Sequence, residues 1–423
     1  MKKILIIYPH FPPSNLAGVH RPRLFAQHLP SFGWEPIILT VHENFYEEEP
    51  DWNLVKLLPA GLRIEKVNAI PLSRPRLIGD IGLRAFFQLY KKAKELIKNE
   101  GIDFLYIPIP SFYTALLGRW LHASTGIKYG IDYIDPWVHE FPGSNKIFSR
   151  HWFSTKFAKI LEPIAVKKAV LITGVAEGYY APVLQRNPHL YSQAITGAMP
   201  YGGEENDHVV SATLQKRPYL FQKEERKLQF VYAGALLPKA YEPLEEIFKA
   251  IAANKKEFAN VEFHFIGTGK LAKDPLSFNI KPFAQKYGLW NKIVFEYPKR
   301  IPYFDVLTHL DAADAVFILG STEPHYTPSK MYQAVLAKKP IFAVLHEQST
   351  ALEMLNNANI AITISITETT LFKLFTIFSK EFLGFKNFMS TYKIEQVNKN
   401  VFDAFSAKEV TKTLANLLNK ILT

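Results

Sequence analysis

Short apolar runs alternate with longer amphipathic stretches along this 423-residue chain, and that alternation sets the fold class. Residues 3–8, Lys-Ile-Leu-Ile-Ile-Tyr, are apolar at every position after the lysine, as a strand buried on both faces must be. An amphipathic helix follows over 21–32 and a second strand over 36–41. The pattern then predicts a helix over 83–99, stopped by Gly101, and a strand over 104–107. Helices over 113–125 and 154–169 alternate with strands over 128–134 and 170–173. A βαβ series of this kind builds a parallel sheet with helices on both faces.

The rhythm breaks over about 187–227, where Gly197, Pro200, Gly202, Gly203 and Pro218 read as an interdomain link. It resumes with strands over 228–232, 261–266, 293–295, 315–319 and 340–344, and helices over 243–254, 301–310, 329–337 and 407–422. The expectation is an α/β protein of two Rossmann-like domains facing a central cleft. Residues 1–200 form the first and 201–405 the second, with the helix in 406–423 packing near or across their interface.

Composition narrows the function. Apolar residues are 48% and charged residues 21%, which excludes disorder and coiled coil. Cysteine is absent, so disulfides, thiolate metal sites and Cys nucleophiles are excluded. The first apolar run stops at Pro9, too short for a signal peptide, and no stretch approaches the ~18 apolar residues of a membrane span. A cytoplasmic protein is expected, with peripheral contact at the inner membrane face left open. The net charge is +11, unevenly held: residues 1–200 carry 23 Lys+Arg against 16 Asp+Glu, and 201–423 carry 27 against 23.

Open α/β sheets bind ligands at the carboxyl ends of their strands, so the residues just after each strand are the candidates. Residues 12–18 hold small side chains ending in Gly18, where backbone N–H groups can approach an anion or simply make a β–α turn. Asp135, Trp137 and His139 end another strand, suited to proton transfer and sugar stacking or, more plainly, to a capped turn over the core. Gly234 leads to Lys239, and Gly267-Thr268-Gly269-Lys270 repeats a glycine turn ending in lysine one unit later. Together they favour a nucleotide diphosphate. Ser329 can cap a helix whose first turn holds Lys330, with Gln333 one turn on. No histidine spacing fits a metal site, no G-x-S-x-G elbow is present, and no nucleic-acid-binding pattern accompanies the positive charge.

In this order, the segments resemble a GT-B glycosyltransferase, specifically the retaining, nucleotide-sugar-dependent glycosyltransferase family 4. The resemblance runs over nearly the whole chain. It rests on Lys3-Ile4-Leu5-Ile6-Ile7 through Phe11-Pro12-Pro13 and Gly18, on Ile134-Asp135-Pro136-Trp137, and on Val170-Leu171-Ile172-Thr173-Gly174. It continues in Phe230-Val231-Tyr232-Ala233-Gly234, Phe263-His264-Phe265-Ile266-Gly267-Thr268-Gly269, Ala312-Ala313-Asp314 and Ser329-Lys330-Met331-Tyr332-Gln333. Members often carry two glutamates with seven residues between them. Here the second position holds Gln333 and the ungapped first holds His325, with Glu323 two residues earlier.

The resemblance implies a UDP- or GDP-sugar donor on the second domain, no cofactor and no required metal. Lys239 and Lys330 would neutralise the diphosphate, the Gly267–Gly269 turn and Gly234 would admit the nucleotide, and Gln333 would contact ribose. Glu323 or His325 would meet the donor sugar. Gly18 would approach from the first domain, where Asp135 and His139 orient an acceptor hydroxyl. A glycan or lipid-linked acceptor is implied, in cell-surface polysaccharide or glycolipid synthesis. A GT-B nucleotide-sugar epimerase and a catalytically silent nucleotide-sugar binder remain as alternatives. Basic and aromatic residues mingle around Arg74, Arg76, Arg84 and Lys91, and again around Trp152, Lys156 and Phe157. With Arg21 and Trp137 these are candidate contacts to the acceptor or to an anionic membrane surface, or else solvated helices with buried aromatic faces.

Overall fold

A computed structural model describes residues 1–73, 78–138, 146–323 and 330–422. The chain divides into two units, Met1–Tyr201 with Ala407–Thr423, and Gly202–Ser406. The first holds β1 (Lys2–Ile7), β2 (Trp34–Val41), β3 (Arg63–Val67), β4 (Phe104–Ile109), β5 (Tyr129–Tyr133), β6 (Leu171–Gly174) and β7 (Ile195–Ala198). They form one sheet in the order β3-β2-β1-β4-β5-β6-β7, parallel at every pairing.

β1 shows why its sequence is apolar throughout. Leu5 and Ile7 pack on one side of the sheet with Ile37, Leu89 and Leu117, while Ile4 and Ile6 pack on the other with Phe25, Ile38 and Leu414. The second side is closed by the helix Ala407–Leu422, which sends Val410, Leu414, Leu417 and Leu418 onto the helix His20–His28 and the sheet. Each such side chain contributes ~1.5–3 kcal/mol on burial, so the last helix is part of the first unit's core.

The second unit holds β8 (Leu228–Ala233), β9 (Val261–Ile266), β10 (Val294–Tyr297), β11 (Ala315–Leu319), β12 (Ile341–His346) and β13 (Ala361–Ile366). Their order is β10-β9-β8-β11-β12-β13, again all parallel. Its core explains the abundance of phenylalanine. Phe378, Phe382 and Phe385 lie four and three residues apart on the helix Leu374–Thr391, one stripe of its surface. They meet Phe230, Phe258, Phe263 and Phe342 with ring centroids 4.5–6.4 Å apart.

The boundary between the units falls after Tyr201, inside the stretch 187–227 read as the interdomain link, and that stretch also contains β7 and the helix Glu205–Thr213. β7 is an edge strand, as are β3 and β13, the other two strands that the apolar pattern missed. An edge strand has a neighbour on one side only. Arg63-Ile64-Glu65-Lys66-Val67 is accordingly exposed or half-buried at every position, which removes the continuous apolar run that marks the central strands.

Candidate functional site

Each sheet reverses its direction of winding once. In the second unit the chain leaves β8 outward to β9 and β10, then returns to lay β11 on the other side of β8. In the first unit the same reversal lies between β1 and β4. At a reversal the two loops leaving the strands part, and the crevice outside the carboxyl ends is where open α/β sheets take ligands.

The reversal in the second unit is flanked by the turns after β8 and β11. Gly234, at φ +112, turns the chain out of β8 while its amide donates to the Ile266 carbonyl at 2.8 Å. A short 3-10 turn, Pro238–Ala240, then presents Lys239. Lys239 is half exposed, and its Nζ lies 3.5 Å from the exposed Glu368 carboxylate. An exposed pair of this kind is worth ~0–1 kcal/mol, so the ammonium turns to another anion at little cost. The Thr322 amide donates to the Lys239 carbonyl at 3.4 Å, which ties this turn to the one after β11. Glu323 follows, half-buried, with its amide donating to Ser321 Oγ at 3.2 Å. The structure therefore brings Lys239 and Glu323 to the two lips of one reversal. His325 and Ser329 lie outside the described residues, as does the Lys330 side chain.

The glycine turn after β9 is held from beneath. Glu296, buried on β10, accepts the Thr268 hydroxyl at 2.8 Å and the amides of Asn279, Ile280 and Lys281 at 2.8–2.9 Å. Asn279 Nδ2 donates back to the Thr268 carbonyl at 2.6 Å. Gly267 sits at φ +72, where a side chain strains the backbone. A Cβ at Gly269 would come within 2.7 Å of Pro298 and of Ser277 Oγ, so the chain's own packing accounts for that glycine. Lys270 beyond it is exposed. Sequence reasoning missed Glu296, which directly follows the expected strand over 293–295 but belongs to no motif.

Gln333 is half-buried on the helix Lys330–Leu336, and its Oε1 lies 3.0 Å from Nε2 of His208. Burial pushes the His208 pKa down, although Asp311, 3.8 Å from Nδ1, pulls it up. A neutral ring protonated at Nε2 donates to Oε1, leaving the Gln333 amide NH2 as the outward group. No motif announced His208, which is distant in sequence and lies on a helix within the supposed link.

In the first unit the reversal is lined by Gly18. A Cβ there would stand 2.0 Å from the Tyr8 hydroxyl and 3.9 Å from Pro110. Burial raises Tyr8 well above the ordinary tyrosine range, and the charges of Tyr201 and Asp135 add to it. Asp135 is exposed at the end of β5, close enough to act on that phenol electrostatically. His10 Nδ1 meets Glu48 Oε1 at 3.0 Å nearby, a pair that no spacing rule identified. His139 lies outside the described residues, as do Arg74 and Arg76.

Three expected contact residues are corrected. Arg21 is 1% exposed and grips Asp132, with Nη2 2.8 Å from Oδ1 and Nη1 2.7 Å from the Met199 carbonyl. Burial alone would lower its pKa, but the Asp132 carboxylate outweighs that and raises it. Arg84 is also buried, donating to the Ile70 and Phe45 carbonyls at 2.9 and 3.1 Å. Trp137 is buried and stacks on Phe112 at 6.0 Å. These residues hold the fold and present nothing to a membrane. Lys91 is exposed, and Trp152 is half-buried beneath the Lys156 ammonium at 5.6 Å.

No protein-family model and no curated protein matches the sequence. Solved structures match over the whole length. HepE (Alr3699) from Anabaena, in complex with UDP and glucose, is 14% identical over 99% of this chain and 100% of its own, with a TM-score of 0.62. A glycosyltransferase from Rickettsia africae is 15% identical over 100% and 99%, also with a TM-score of 0.62. Sucrose-phosphate synthase from Thermosynechococcus elongatus is 12% identical over 100% and 99%, at 0.59. The two parallel sheets of seven and six strands are those of the GT-B fold.

Proposed function

We propose that this chain is a nucleotide-sugar-dependent glycosyltransferase that transfers a sugar, with retention, to a glycan or lipid-linked acceptor. The observation that carries the reading is the pair Lys239 and Glu323 on the two lips of the second unit's reversal. The same fold holds UDP and glucose in HepE. Breaking the bond between sugar and nucleotide leaves negative charge on a diphosphate, and stabilising that charge is the main electrostatic task. Lys239, in the turn after β8, would supply that charge once the diphosphate displaces its weak surface pair with Glu368. The Gly267–Gly269 turn lets the nucleotide approach the backbone closely, and the Gln333 amide donates to ribose oxygens where a carboxylate would accept. Glu323 hydrogen-bonds the donor sugar. The acceptor binds the first unit near Asp135, whose carboxylate orients the attacking hydroxyl. We place the protein in cytoplasmic synthesis of a cell-surface polysaccharide or glycolipid.

The test is product analysis after incubation with UDP- or GDP-sugars and a panel of glycan and polyprenyl-linked acceptors. Acceptor-dependent release of nucleoside diphosphate, with sugar in the acceptor, supports the reading. Conversion of the donor sugar without an acceptor assigns the site to an epimerase instead, and donor binding without any conversion assigns it to a silent binder.

A further inference from the structure

The helix Arg150–Val166 of the first unit is built inside out. Its buried seam consists of Ala158, Glu162, Ala165 and Val166, whereas Phe153, Phe157, Ile160 and Ile164 are 44–61% exposed. Those four are spaced by four, three and four residues, which places them on one stripe of the helix. An apolar stripe at that spacing normally marks the side turned to a core, yet here it meets solvent. Phe148, 78% exposed just before the helix, extends the stripe through ring contacts with Trp152 and Phe153 at 5.8 and 6.3 Å.

The neighbouring helices continue the same surface. Ile164 lines an open groove of about 440 Å3 together with Tyr90, Arg119, Trp120, Ala123 and Ser124. Trp120 on the helix Ala115–Thr125 is 43% exposed and meets Phe87, 67% exposed, at 6.4 Å. The exposed apolar surface therefore continues from the Arg150–Val166 helix onto the helices Ala115–Thr125 and Phe86–Glu100.

Its charges have one sign where the stripe is. Glu162 is the only acid on the Arg150–Val166 helix, and it is buried and bound to Arg186 at 2.8 Å. The helix Ala115–Thr125 has no acid. Lys156 and Lys167 edge the stripe on one side and Lys168 on the other, all exposed. On the helix Phe86–Glu100, Glu95 is engaged by Lys92 and Glu100 by Arg63, with Lys91 and Lys98 exposed beside them. A seam that takes a second helix is edged by charges of both signs in pairs. An apolar stripe edged on its own helix by exposed lysines and no exposed acid fits anionic headgroups, with the aromatic rings entering the boundary between headgroup and acyl chain. Among the described residues no helix is long and apolar enough to cross a membrane, so contact of this kind lies on the surface.

We propose that this three-helix face docks the chain on an anionic lipid bilayer, with Phe153, Phe157, Ile160 and Ile164 as the inserted stripe and Lys156, Lys167 and Lys168 on headgroup phosphates. The Arg119 guanidinium, half-buried in the groove, takes one headgroup phosphate there. The proposal goes beyond sugar transfer and does not depend on it.

The test is co-sedimentation of the full chain with phosphatidylcholine vesicles containing about one-third phosphatidylglycerol, against pure phosphatidylcholine. Binding at least about tenfold stronger to the anionic vesicles is expected. Phe157→Ser with Ile160→Ser should lower it about tenfold or more, with the melting temperature kept, since both side chains are exposed. Lys156→Gln and Lys167→Gln should each lower it about fivefold and leave the fold untouched. Failure to bind, or equal binding to both vesicles, overturns the proposal. So does a dimer in sedimentation velocity that Phe157→Ser with Ile160→Ser dissociates, because the face then belongs to a second copy. The assay uses neither donor nor acceptor, so its failure leaves the glycosyltransferase reading standing.

Discussion

Replacing Arg21 by methionine removes the cation around which the first unit's buried polar network is arranged. The guanidinium donates from Nη2 to Asp132 and from Nη1 to the carbonyls of Met199 and Pro200 at 2.7 and 3.1 Å. Asp132, 0% exposed, is left with the Thr173 hydroxyl at 2.8 Å, itself bound to Tyr106. Breaking a buried pair from one side costs ~3–5 kcal/mol, because the remaining buried charge has lost its counter-charge. At a urea slope of ~2–3 kcal/mol/M the unfolding midpoint should fall by ~1–2 M. Tryptophan fluorescence isolates the event: Trp34, Trp52, Trp120, Trp137 and Trp152 lie in the first unit, against Trp290 in the second. Asp132→Leu alone should cost a similar amount. The double substitution should cost less than the sum by at least ~2 kcal/mol, because it leaves no stranded charge. A single Arg21→Met loss below ~1 kcal/mol, or strictly additive singles, would refute the reasoning.

Other perturbations follow from the same contacts. Gly18→Ala drives a methyl group onto the Tyr8 hydroxyl, 2.0 Å from the position it would take. It should cost ~1–3 kcal/mol in thermal denaturation, with Tyr8→Phe recovering part of the loss, and no recovery would mean that another contact sets the strain. Glu48 is held near pKa about 2: burial would raise it, but the His10 hydrogen bond and charge pull it down past the usual 4.5. Its contribution is fully present above pH about 4.5 and is lost as the pH falls towards 2, so Glu48→Gln should flatten that part of the stability profile. Glu296→Gln removes the charge from an acceptor of three amides and a hydroxyl. It should cost ~2–3 kcal/mol and speed amide exchange across residues 267–270, and unchanged exchange there would show that the turn does not rely on Glu296.

The parts of this architecture that are buried on both sides were open to reading, and the reason is visible in β1. Each of Ile4 to Ile7 must be apolar because both faces are covered, so the strand stands out against any background. β3 and β7 are edges with polar or half-buried residues, and β13, Ala-Ile-Thr-Ile-Ser-Ile, buries only Ile364 and Ile366, so none of the three shows the continuous apolar run of a central strand. The glycine turns were legible for a related reason, since φ at Gly234 and Gly267 is positive and few other residues tolerate that. The charged residues were not. Arg21 reads like any surface arginine until Asp132, 111 positions away, is brought to it by the sheet. The His208–Gln333 contact is likewise a product of tertiary packing, so a residue expected to meet ligand alone was found with a partner.

The central claim is that a nucleoside diphosphate binds at the reversal in the second unit against Lys239. Calorimetric titration of UDP and GDP into the wild type, Lys239→Ala and Glu368→Gln tests it most directly. The account predicts saturable binding of one nucleotide, about tenfold weaker in Lys239→Ala, which is ~1.4 kcal/mol, and tighter in Glu368→Gln, where the competing carboxylate is gone. Binding that is equal in all three proteins, or no binding of either nucleotide, would contradict it.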